Sequence, residues 1–518
     1  MGAGAAPRAF YGKIYVTYRP RTIVEAILVA AGRVIMAGDA KRVERACREI
    51  DGCEEVTLPG KASGPGFVDS HMHLTGLGLQ LNTLDLRDVG SIDELRDKVR
   101  RFVAERGPRV VIARGWDHER LKERRFVTRF DIDDLLPDRP AILIRICGHV
   151  GTLNTYAIRM LGLESAKGNP DVEVGADGQP TGVIKEDALL RAIRALEPPP
   201  EEYIKYVIDA SRLLLSQGVT TVGFMNAPLR LLPWLIEEAG KGIKVRLRLY
   251  LDYDAIDLLE SLGVRGGFGN EWATIMGVKV FADGSLGART ALLSAPYEDA
   301  PGVVGKANVT PEALKALVGK ASKLGLDVAV HAIGDGALDL VLRSIGPERE
   351  HVRIEHASVV RDDQLSSLRG MRVSVQPMFV VEDRGWLASR LGEERLRLAY
   401  RFRSLLRAGA VLGLSTDAPV EPTNPWLTLY AAVMRGGPEG CRLAEVTPDE
   451  ALTVEEALHL YTQGSAAVLR DPLIGGLLPG SYADVASFSA DPFEVEAEEL
   501  KRVTNVATFV GGEKVYPG

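Results

Sequence analysis

From about residue 202 to residue 470 the chain alternates short apolar runs with helical stretches of ten or more residues. No other feature restricts the fold as tightly, because strand and helix in strict alternation are the signature of a parallel α/β architecture. The runs lie at 219–225, 244–251, 274–281, 327–331, 352–356, 372–376 and 411–415. An earlier one at 67–71, Phe67-Val68-Asp69-Ser70-His71, makes eight. Eight strands, each followed by a helix, predict a (β/α)8 TIM barrel with its active site at the C-terminal strand ends.

The rest of the chain reads as two additions to that barrel. Short strands and turns fill the beginning, at 13–18, 25–31 and, after the break at Ala31-Gly32-Arg33, 34–36. The same texture returns at 483–488 and 503–515, with Gly511-Gly512 as a hairpin turn. The two ends, 1–64 and 471–518, are therefore expected to pair into one small β-sandwich domain, leaving 65–80 and 201–470 to the barrel. Residues 81–200 are too many for a βα connection, which typically takes about 2–6 residues. They carry apolar runs of their own at 110–113 and 141–146, and predict an inserted α/β subdomain over the barrel mouth. Insertions at that face shape substrate pockets, so Trp116, Asp117 and His149 are candidates for substrate contact. For each of the three, stabilising the insertion is the competing reading.

Composition narrows the classes of partner. With 518 residues the chain exceeds what one hydrophobic core supports, and its formal charge of -7 argues against nucleic acid or an anionic membrane as the main partner. A small-molecule substrate fits better, and a homodimer is among the assemblies this reading allows. No apolar stretch approaches the roughly 20 residues that cross a bilayer and no leader opens the sequence, so a soluble cytoplasmic protein is expected. The four cysteines, Cys47, Cys53, Cys147 and Cys441, lack C-x-x-C spacing and read as buried free thiols. Asn and Gln are few beside Arg and Glu, a bias found in thermophile proteins. On that footing a Cys47–Cys53 disulfide becomes admissible inside a cell.

The chemistry is concentrated at strand ends. His71 and His73 lie two apart, so on a strand they point the same way and can hold one metal ion. Lys279, His331, His356 and Asp417 fall at the ends of four other predicted strands. Taken singly, each has a bland explanation: a rim histidine bonded to backbone, a snorkelling lysine, an aspartate capping a helix. Four of only eight histidines in such places make chance a poor account of the set. Asp283 and Arg289, after the lysine, could hold a polar substrate group or pair with each other to order a Gly-rich loop. His118 and His351 read as surface residues and His459 as a packing residue.

The segments carrying these residues resemble the amidohydrolase superfamily, in particular its long branch that includes N-substituted formamide deformylases. The matching stretches are Pro65-Gly66-Phe67-Val68-Asp69-Ser70-His71-Met72-His73, KVFADGSLGAR from Lys279 to Arg289, and His331-Ala332-Ile333-Gly334-Asp335. Ile354-Glu355-His356, Thr416-Asp417-Ala418-Pro419-Val420, Leu478-Pro479-Gly480-Ser481-Tyr482-Ala483-Asp484 and Val510-Gly511-Gly512 complete the list. The resemblance implies two divalent metal ions, zinc foremost. His71, His73 and Asp417 would hold one, His331 and His356 the other, with a carboxylated Lys279 bridging them. Only neutral lysine can react with carbon dioxide, and the carbamate so formed is an anionic two-oxygen bridge. An unmodified Lys279 would instead favour one ion.

The activity implied is hydrolysis of a non-peptide C–N bond in an amide, N-formyl or cyclic amide substrate by metal-activated hydroxide. Asp417 would be general base and then acid, and His149 a donor to the developing oxyanion. The same site could serve an ester, lactone or phosphoester. A catalytically silent barrel acting as an interaction scaffold is the alternative of another class.

Overall fold

The computed structural model describes residues 6–165 and 169–518. They form two compact units, Met1–Leu77 with Val207–Gly518, and Gly78–Tyr206.

In the larger unit eight parallel strands follow one another in chain order: β1 (Phe67–Met72), β2 (Val219–Ala227), β3 (Arg246–Asp252), β4 (Ala273–Phe281), β5 (Asp327–Ala332), β6 (Val352–His356), β7 (Arg372–Val375) and β8 (Val411–Leu414). The predicted runs and the observed strands differ by at most two residues at either end. These strands are legible because helices and core cover both faces, which makes them near-continuous apolar text. All six residues of β1 are buried, as are all five of β6. Ladders join every neighbouring pair from β1 to β8. The remaining seam, between β8 and β1, is closed beyond the strand ends. Asp417 N–H donates to His71 C=O at 2.9 Å and His73 N–H to Ala418 C=O at 2.8 Å. Ser70 Oγ adds a bond to Leu414 C=O at 3.0 Å.

Both chain ends join one eight-stranded sheet of the same unit. Ala62–Pro65 from the beginning pairs with Val485–Phe488 from the end, and Asn505–Val510 turns back into Glu513–Tyr516 at Gly511-Gly512. Phe10 and Phe509 lie three strands apart in the sheet order, yet their rings meet edge to face at 5.0 Å. Strands three places apart in a flat sheet would be separated by about 14 Å, so this sheet curls until its two halves face each other. Arg246 on β3 ties the barrel to it, its guanidinium bonding Asp484 at 2.7 and 3.0 Å. Cys47 and Cys53 form a disulfide with Cα atoms 5.5 Å apart, tying the last turn of the helix Ala40–Arg48 to the segment that follows it. Of the remaining cysteines Cys441 is buried and Cys147 exposed, so the expectation of four buried thiols holds for one.

The 78–206 unit is α/β, with a six-stranded sheet that includes Val111–Trp116 and Ala141–Arg145. Trp116 is fully buried in its core among Leu95, Val99, Leu121 and Leu143, and its indole N–H donates to Leu143 C=O at 2.9 Å. That corrects the substrate-contact reading: this side chain packs. No helix among the described residues is long and apolar enough to cross a membrane.

Candidate metal centre

His71 is the fifth residue of β1 and His73 follows the strand directly, so the period of two turns both imidazoles into the barrel. Asp417 arrives across the seam in the left-handed region, at φ 58°, with its backbone fixed by His71. Asp417 Oδ1 stands 3.2 Å from Nε2 of His71 and 3.2 Å from Nε2 of His73. Among the described residues this trio forms the group whose potential ligand atoms lie within 4.8 Å of one another. His356 follows, its ring 4.9 Å from that of His71, and then His331, 4.5 Å from His356. Lys279 is 1 % exposed, and its charge is felt by His73, His331 and His356. All six residues proposed as ligands therefore gather at one end of one barrel.

Buried polar atoms normally find partners. Three here do not: His71 Nε2, Asp417 Oδ1 and Lys279 Nζ are all buried without a hydrogen bond. Two imidazole nitrogens and a carboxylate oxygen converging on one point are the donor set of a borderline divalent ion such as zinc. The residues present thus fit a metal. His331 is differently placed, since its Nε2 lies 3.0 Å from Gly284 C=O and is engaged there.

Protonation follows the same geometry. Burial pushes the Lys279 ammonium down to about 8, against the opposing pull of Glu355 and Asp417. A sizeable neutral fraction near pH 8 is what carbamate formation requires. Burial and the Lys279 charge carry His331 down to about 3, and burial with His331 holds His356 well below its ordinary value. Burial also opposes charge on Asp417, but His71, His73 and His356 outweigh it and hold the carboxylate well below its usual range.

A second layer of side chains escaped the sequence reading. His71 Nδ1 is 2.6 Å from Glu355 Oε2, and Glu355 is gripped in turn by Arg353 at 2.5 and 2.9 Å, all three without solvent exposure. His356 Nδ1 meets Gln376 Oε1 at 2.8 Å. Asp69 accepts from the Thr416 hydroxyl at 2.7 Å and from Tyr461 at 3.1 Å, binding the two sides of the seam. Such contacts fix which ring nitrogen faces the metal. Two charged residues, Arg353 and Glu355, inside a strand whose other members before His356 are Val352 and Ile354 were the available signal.

The other candidates have partners elsewhere. Asp283 is buried and accepts backbone N–H bonds from Leu292, Ile333 and Gly334 at 2.9–3.0 Å, which leaves it a loop clamp. Arg289 pairs with Asp299 at 2.9 Å, so of the two readings offered for Asp283 and Arg289 the mutual pair does not form. In the 78–206 unit, Asp117 bonds Arg145 at 2.7 Å, and Arg145 also bonds His118, which is half-buried where a surface position was expected. His149 is exposed, 3.1 Å from Glu186, and that partner raises its pKa. A solvent-facing imidazole is not the preorganised donor that oxyanion stabilisation uses. His351 is half-buried against Leu326 C=O at 3.1 Å, again not a surface residue, and His459 is half-buried beside Gln463 at 3.2 Å.

The profile of the amidohydrolase family matches residues 54–516. The putative amidohydrolase YtcJ of Bacillus subtilis is 32 % identical over 531 residues, covering 98 % of each protein. The N-substituted formamide deformylase of Arthrobacter pascens is 26 % identical over 544 residues, 95 % of each. Among solved structures, an uncharacterised metal-dependent hydrolase from Pyrococcus horikoshii is 39 % identical and superposes with a TM-score of 0.84, over 95 % of this chain and 99 % of that one.

Proposed function

This chain belongs to the amidohydrolase family of metal-dependent hydrolases, and from that premise we propose that it hydrolyses a non-peptide C–N bond of a small amide, N-formyl or cyclic amide substrate. The observation that carries the reading is the convergence of His71, His73 and Asp417 with two unpartnered buried ligand atoms. Those three residues would hold one divalent ion, zinc foremost. His356, and His331 through the ring nitrogen that Gly284 does not engage, would hold a second together with a carboxylated Lys279; burial that favours the neutral amine supports that modification. When bound, such ions supply hydroxide near neutral pH and polarise the scissile carbonyl.

The protein's own residues do the rest. Asp417, ionised at neutral pH, takes the proton of the attacking water and delivers it to the departing nitrogen. An amine is a poor leaving group without that proton. Glu355 and Gln376 fix the rings of His71 and His356 so that the Nε2 side faces the centre.

The test is a substrate panel given to zinc-reconstituted protein, with amides, N-formyl amines and cyclic amides on one side and esters, lactones and phosphoesters on the other. Cleavage of C–N members, abolished in Asp417→Asn, is the expected result. Cleavage of esters alone would remove the amidase reading.

A further inference from the structure

Four residues beyond Asp417 the chain carries Glu421, only 6 % exposed, with its Oε2 buried and lacking any hydrogen-bond partner. A buried carboxylate without a partner is costly, and native proteins seldom keep one without use. Its electrostatic neighbours are Glu382, Asp383 and Asp417, every one of them acidic. Glu382 is exposed at the end of the helix Met378–Glu382, and Asp383 accepts the hydroxyl of Tyr400. This helix belongs to the metal end of the barrel, since the Phe379 ring lies 6.1 Å from His356 and 6.4 Å from Tyr400. Half-buried Phe379 thus stands between His356 and Tyr400, whose hydroxyl reaches Asp383.

We propose that Glu421, Asp383 and Glu382 form a subsite, beside the metal centre, for a positively charged organic group of the substrate such as an ammonium or guanidinium. The inference rests on the hydrolase reading above and names its substrate class: small amides with a cationic tail. A metal ion is the less suitable occupant, because the only trio of His, Cys, Asp or Glu ligand atoms within 4.8 Å among the described residues is the one already assigned. Carboxylates spread more widely, beside the Phe379 and Tyr400 rings, suit a larger and softer cation. Burial and the acidic neighbours push Glu421 up to about 8 while nothing offsets them, and a bound cation relieves that repulsion and draws the side chain to its ionised form.

The experiment uses zinc-loaded protein and a matched pair of amides, N-formylputrescine and N-formylpentylamine, alike in length and differing in the terminal charge. The wild type is expected to favour the cationic member in kcat/KM by about tenfold or more, with Glu421→Gln erasing most of that ratio. Calorimetric titration with agmatine against pentanol provides a readout free of turnover. Agmatine should bind in preference, and Glu421→Gln and Glu382→Gln should both weaken it. Glu382 is exposed, so its variant decides the matter should Glu421→Gln fail to fold. Hydrolysis of neither amide together with selective agmatine binding would count against the C–N chemistry and leave the subsite standing. Equal treatment of charged and neutral probes, or agmatine affinity unchanged in the variants, would overturn the subsite.

Discussion

His71 Nδ1 and Glu355 Oε2 lie 2.6 Å apart at zero solvent exposure, joining the first barrel strand to the sixth across the interior. Glu355 holds the imidazole in one tautomer and one orientation. Glu355→Gln is expected to lower metal affinity by roughly 10–100-fold, the usual effect of losing such an outer partner. Competition with a chromogenic chelator measures it; unchanged affinity would mean that His71 is oriented by packing alone.

The same carboxylate sets a pH dependence. Burial would raise its pKa, but Arg353 and His71 reverse the sign and hold it well below the usual range. A depressed folded-state pKa gives stabilisation that is complete above the unfolded value of about 4.3 and is lost as pH falls. Metal-free protein should therefore lose stability on acidification below about pH 4.3, and Glu355→Gln should show a flatter acid limb. Urea midpoints across that window test this, and parallel curves would contradict it.

Lys279 gives a stoichiometric prediction. If its carbamate bridges two ions, Lys279→Ala should retain fewer ions per chain than wild type, and wild type reconstituted without bicarbonate should match the variant. Elemental analysis of both preparations decides it, with equal metal content in all samples as the contrary result.

Arg246 and Asp484 make a buried pair between the barrel and the terminal sheet, 1 % and 6 % exposed at their side chains. Asp484→Ala strands the guanidinium and removes an acceptor for Gly511 N–H, which itself bonds at 2.8 Å. A loss of about 3–5 kcal/mol is expected in equilibrium unfolding. A loss below about 1 kcal/mol would show that water reaches Arg246.

The barrel and its ligands were legible because function in this fold sits where strands end, and strand ends are visible as the close of an apolar run. Hidden from that reading was anything that depended on a break in strand periodicity. Glu355 and His356 are adjacent, and alternation would send them to opposite faces. At His356 the backbone enters the left-handed region, φ 77°, followed by Ala357 at 45°, which lets both side chains serve the centre. Asp283 and Arg289 misled for a different reason: local sequence suggested a mutual pair, while their partners, Ile333, Gly334 and Asp299, come from other turns. Trp116 looked available because a strand end in an inserted segment resembles a pocket wall, and the packing that buries it is tertiary.

The seam between β8 and β1 has a consequence for how the protein comes to exist. Asp69 and Thr416 meet there although 347 residues separate them in the chain. A ribosome must deliver nearly the whole barrel before Asp417 can reach His71, so chains cut short or paused upstream lack the third of the candidate ligands. With the proposed ligands, metal uptake would thereby become a mark of completed synthesis and ring closure, since a half-made chain lacks the full set.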